Sequence, residues 1–116
     1  MRRDIDLIRL ILMEIETGTA PEGLSRHTEE EIIFHSALAI EAGLLQGQVL
    51  RNETRGDSAI IERLTWEGHD FLDSARDETN WNKAKAMIAR TGGAWTFEIV
   101  KSLLVEIAKK SLLPLL

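Results

Sequence analysis

The 116-residue sequence contains no cysteine. Disulfides, thiolate metal sites and cysteine nucleophiles are therefore excluded, and the composition suits the cytoplasm. Long apolar runs are also missing. The longest stretches without a charged side chain are nine residues, at 32–40 and 42–50, and a membrane span needs about 20 apolar residues. The start, Met1-Arg2-Arg3-Asp4-Ile5-Asp6, has charge but no continuous apolar segment, so no secretion signal is expected. No G-x-S-x-G turn, phosphate-binding loop or dinucleotide fingerprint occurs. The three histidines, His27, His35 and His69, show neither H-x-x-x-H nor H-E-x-x-H spacing. Asp70, Asp73 and Asp77 recur near helical spacing and read as a solvated acidic edge. The expectation is a protein without catalytic residues, metal or cofactor.

What is present is an ordinary globular composition, 44% apolar and 28% charged, enough for a single domain overall. The charge is unevenly spread. Residues 1–77 carry a net −8 and residues 78–116 a net +3, giving −5 for the chain. Such opposite potentials favour association, within one chain or between copies.

Hydrophobic periodicity predicts mostly helix. Ile5, Ile8, Ile11, Leu12 and Ile15 mark a helix at 4–17, capped by Asp4 or Asp6 and ended by Gly18. A loop at 18–27 follows, with Leu24-Ser25 as a short strand. Thr28 and Glu31 have capping-box spacing and open a second helix that stops at Gly43. Two strands, 44–53 and 59–64, form a hairpin around a turn-rich segment. Thr65 caps a third helix with Gly68, Phe71, Leu72 and Ala75 on its buried face. A fourth helix at 79–91 buries Trp81, Ala84 and Ile88 and closes at Gly92-Gly93. Thr96 caps a fifth that runs to about Leu113. Trp66, Trp81 and Trp95 are expected as core or interface anchors.

Helix, helix, hairpin, helix is the order of a winged-helix domain, with the hairpin as wing. Leu64-Thr65-Trp66-Glu67-Gly68-His69-Asp70-Phe71-Leu72 resembles the L-T-x-x-G-x-x-x-L pattern that follows the wing in many winged-helix regulators. Ala42-Gly43-Leu44-Leu45 resembles the segment ending their recognition helix. Gly68 falls in a helical first turn, where glycine costs up to about 1 kcal/mol against alanine, and a close approach of another backbone would account for it. A broader match runs from Arg3-Asp4-Ile5-Asp6-Leu7-Ile8-Arg9 through His35 and Arg63–Asp73 to Trp81-Asn82-Lys83 and Gly92-Gly93. Over these residues the chain resembles a family of small uncharacterised bacterial, phage and prophage proteins. That resemblance implies a shared fold and no known activity.

A winged-helix order suggests DNA, but the residues oppose it. The helix at 28–43 holds Glu29, Glu30, Glu31 and Glu41 and no Arg, Lys, Asn or Gln to read bases. The wing's Arg51, Arg55 and Arg63 are offset by Glu53, Asp57 and Glu62. The usual short middle helix between the first helix and Thr28 is expected to be absent or vestigial. On the second helix, Ile33, Ala37, Ile40 and Leu44 are expected to face the core. Ile32, His35, Ser36 and Ala39 form a separate, neutral side suited to packing against protein. The last helix is apolar over a wide arc, and Phe97, Val100, Leu103, Leu104 and Ile107 belong to its expected contact surface.

These readings combine into an α+β, mostly helical fold: a winged-helix-like core at 1–77 with a two-stranded wing, and a C-terminal helical extension at 78–116 packed on the core or on a partner chain. The expected function is a non-enzymatic, self-associating interaction module of phage or prophage type, a homodimer with a further protein partner, located in the cytoplasm. The alternative is a winged-helix DNA-binding regulator, disfavoured by charge, with Arg51, Arg55, Arg63, Lys83 and Lys85 as phosphate contacts.

Overall fold

Residues 1–92 and 96–112 are described in a computed structural model of the chain, Ser111 by its backbone alone. The fold is α+β with a winged-helix-like order of elements. Helix α1 spans Ile5–Thr17 and α2 Glu29–Glu41. Strands β1 (Leu45–Leu50) and β2 (Ser58–Leu64) form an antiparallel hairpin, and helices α3 (Trp66–Ala75), α4 (Glu78–Thr91) and α5 (Phe97–Leu112) follow. The chain forms two compact units, Met1–Leu72 and Asp73–Leu116, so the division falls within α3. Among the described residues, no helix is long and apolar enough to cross a membrane.

Local chemistry sets the helix ends. The Asp4 carboxylate accepts from the Asp6 and Leu7 amides, and α1 ends at Gly18 with φ 75°. At α2, Thr28 Oγ1 accepts from the Glu31 amide while a Glu31 oxygen accepts from the Thr28 amide, a complete capping box. Asp77 caps α4, and Thr96 Oγ1 accepts from the Ile99 amide at the start of α5. Leu24-Ser25 is not a strand. It lies in a 3-10 turn, Leu24–Arg26, that opens directly after Gly23, whose φ is 95°, and closes where the His27 amide donates to the Leu24 carbonyl. Three residues bounded by so tight a turn cannot extend alongside the hairpin, and the sheet has two strands.

In the first unit α1, α2 and the hairpin pack on one another. Leu7, Ile8, Ile11 and Leu12 of α1 meet a core that includes Leu44, Leu45 and Leu64. In the second unit α4 packs on α5. Its buried positions are Trp81, Ala84 and Ile88 on α4 and Val100, Leu104 and Ile107 on α5. Both sets repeat every three or four residues, as helix pairing requires.

The motif after the hairpin is a lock between two backbones. Thr65 Oγ1 donates to the Gly43 carbonyl and accepts from the Gly68 amide at 3.0 Å. The Thr65 amide donates to the Leu44 carbonyl at 3.0 Å. Gly68 is buried, and a Cβ there would collide with that same Leu44 carbonyl. Leu64, Phe71 and Leu72 are buried beside it. The close backbone approach inferred from the sequence is therefore present, and its partner is Leu44.

Candidate interaction surfaces

The faces of α2 are the reverse of the sequence expectation. His35, Ser36 and Ala39 are buried, and Ile32 is half-buried. They form the inward face and offer no docking surface. His35 explains how a polar residue can occupy it. Its Nε2 accepts from the Asp4 amide at 2.9 Å, and its Nδ1 donates to the Glu31 carbonyl at 2.7 Å. Both ring nitrogens are used, so burial leaves no polar atom of the ring unsatisfied. Ile33 and Ala37, expected in the core, instead line an open groove, Ile40 is half-buried, and Leu44 alone of that set is fully buried.

That groove lies between α2 and the hairpin and has a volume of about 520 Å³. Ile33, Phe34, Ala37 and Val49 supply its apolar lining. Glu29, Glu30 and Asp57 contribute acid, and Arg51 and Arg55 contribute base. Arg51 is tied to Asp57 by a 3.0 Å ion pair. Arg63 lies outside this groove and donates to the Leu64 carbonyl at 3.0 Å. The surface where a winged-helix regulator would meet phosphate thus carries one more acid than base.

Glu31 stands beside this region. The His27 side chain and the Thr28 backbone N–H hold its carboxyl below the usual glutamate range. A lowered folded-state pKa means the capping interaction stabilises the fold above the ordinary glutamate pKa and is lost as pH falls through the lowered value. Glu31→Gln is expected to melt below wild type at neutral pH, with the gap closing as the solution is acidified. A gap independent of pH would show that the carboxylate charge is not what the cap uses.

The contact residues expected on α5 are largely covered. Val100, Leu104 and Ile107 are buried, and Phe97 and Leu103 are half-buried. Helix α4 packs on α5, and Ile99 and Leu112 are the exposed large apolar side chains of α5 among the described residues. Leu113 to Leu116 and Trp95 lie outside the described residues.

A second groove, of about 490 Å³, runs along α4 and α5. Among the described residues, Lys83, Arg90 and Lys110 rim it, Ala86, Met87 and Ile107 also line it, and none of the lining residues is acidic. Lys83 therefore joins two other cations at one place, whereas Lys85 is half-buried and outside the groove. Among the described residues, no group of three or more His, Asp or Glu is placed to hold a metal ion.

The feature that sequence reasoning left undecided is Trp66. Trp81 is 1% exposed and belongs to the core, but Trp66 is 77% exposed in the first turn of α3. A helical wheel locates it. At 3.6 residues per turn, Trp66 lies roughly 140° from Phe71 and about 180° from Ala75, away from the buried stripe.

An uncharacterised protein of Haemophilus influenzae (strain ATCC 51907 / DSM 11121 / KW20 / Rd) is 34% identical over 95 residues, covering 76% of this chain and 79% of its own. No solved structure matches the chain. The model of one family, described as hypothetical protein DUF2513, matches residues 2–94, from the start of α1 through the end of α4, and the chain belongs to that family.

Proposed function

We propose that the protein is a non-enzymatic interaction module of phage or prophage type that binds protein and self-associates, working in the cytoplasm. The observation that carries this reading is the α2–hairpin groove. Its apolar lining suits a partner's side chains, and its rim of Glu29, Glu30, Asp57, Arg51 and Arg55 offers both signs of charge. Interfaces between proteins use apolar centres with polar rims of this kind. Duplex DNA requires the opposite, a concentration of cations without carboxylates at the same place.

The test is fluorescence anisotropy of a labelled random duplex titrated at low salt. The expected result is no binding at about 50 mM salt, where phosphate contacts are strong. Phe34→Glu is expected to abolish capture of a protein partner and leave the fold intact, because Phe34 lines the open groove. Duplex binding that falls steeply with salt and is lost on Arg51→Ala or Arg55→Ala would overturn the reading.

One observation favours a second reading, a DNA-binding regulator. Lys83, Arg90 and Lys110 share a groove that no carboxylate lines. If nucleic acid is the ligand, Lys83→Ala weakens it at low salt and flattens the salt dependence.

A further inference from the structure

Two features of the surface lie outside the α2–hairpin groove. One is an exposed tryptophan with carboxylates beside it, and the other is a basic groove with apolar side chains in it. We infer that they are the two halves of one contact: Trp66 at the start of α3 docks into the α4–α5 groove of a second copy of this chain.

Chemistry on both sides supports the match. Trp66 is the most exposed of the large apolar side chains described, and tryptophan is the residue type most enriched at the energetic centres of interfaces. Glu67 follows it, and Asp70 lies one turn along the same face. The receiving groove offers Met87, 37% exposed, with Ala86 and Ile107. Thioether–aromatic contact is favourable, and Lys83, Arg90 and Lys110 stand where they can meet an indole face or the carboxylates beside it. The volume of about 490 Å³ lies within the range of pockets that bury whole ring systems, about 300–1,000 Å³.

Charge selects the occupant. Residues 1–72, which hold Trp66, carry a net −7, and residues 73–116, which hold the groove, a net +2. A second copy therefore presents acidic surface to basic groove. A nucleic acid strand would use the three cations but gain little from Met87 and Ile107. Each copy carries one anchor and one groove, so the anchor of either copy can occupy the groove of the other.

The inference rests on the self-association part of the proposed function and is independent of the α2–hairpin groove. Sedimentation velocity over a wide concentration range tests it, using wild type, Trp66→Ala and Met87→Glu, with circular dichroism to show that each variant is folded. Wild type is expected to associate. Each variant alone is expected to lose about 30-fold or more in association strength. An equimolar mixture of the two should associate with intermediate strength, because an intact anchor on one meets an intact groove on the other. Phe34→Glu should associate like wild type. A strictly monomeric wild type would overturn the inference and the self-association reading together. Association unchanged in Trp66→Ala, or absent from the mixture, would overturn the inference alone. Duplex binding that needs Lys83 and ignores Trp66 would assign the groove to nucleic acid and overturn it likewise.

Discussion

Gly68→Ala is expected to lower the melting temperature by about 10 °C or more, the reverse of what the same change does in most helices. Exposed helical glycine usually gains up to about 1 kcal/mol on replacement by alanine. Here the new methyl group would collide with the Leu44 carbonyl. That oxygen cannot retreat freely, because it accepts the Thr65 amide at 3.0 Å. Overpacking a filled site costs roughly 1–3 kcal/mol, and the disturbed hydrogen bond adds about 1 kcal/mol. The net loss of about 2–3 kcal/mol corresponds to the stated shift for a domain of this size. Calorimetry checks it. A melting point equal to or above wild type would mean that α3 can slide away from Leu44, and that the Thr65 lock is loose.

His35→Ala should remove about 3 kcal/mol through a different cause. The ring is 2% exposed, so its deletion leaves a cavity. It also strands the Asp4 amide, whose partner is His35 Nε2, at a cost of about 1 kcal/mol for a half-buried donor. The effect spreads along α1, because Asp4 is also the cap that receives the Asp6 and Leu7 amides. Hydrogen exchange at Asp4 separates this mechanism from simple loss of packing. Its amide should be protected in wild type and exchange rapidly in His35→Ala. His35→Gln, which keeps an acceptor and a donor, should recover part of both stability and protection. Equal exchange at Asp4 in all three proteins would refute the link between α1 and α2.

Much of this fold was legible in the residues themselves. Asp4, Thr28 with Glu31, and Gly18 act through bonds to neighbours within a few positions, so sequence spacing reveals them. The buried faces of α3 and α4 were legible because each has one apolar stripe, with Phe71 and Leu72 or Trp81 and Ile88 standing against charged positions. Helix α2 was not. Ile32, Ile33, Phe34, Leu38 and Ile40 surround much of its circumference, and hydropathy then assigned His35 and Ser36 outward. What places His35 inward is a bond to Asp4, 31 positions away, and no local pattern contains it. Similarly, Arg51 and Arg55 were legible as wing cations, but their position beside Glu29 and Glu30 depends on how the hairpin folds back on α2. The same holds for Lys83 and Lys110, which come from different helices into one groove. The exposure of Trp66 is legible in the helical wheel, where it stands about 180° from Ala75.

The hairpin has one irregularity in its pairing, between Gln46 and Gly47. At Gly47 a Cβ would run into the Ile60 carbonyl. Consider the alternative alignments of the two strands. Sliding β1 by one residue would bring Gln46 or Gln48 to the place where Gly47 now sits, and either side chain would strike the opposite backbone. A slip would also turn Leu45 out of the core and expose it. The single glycine thus works as a key with one fitting position, rejecting misaligned hairpins by steric exclusion rather than by rewarding the correct one. A two-stranded ribbon has few cross-strand bonds with which to choose its own alignment, and here that choice is built into a missing side chain.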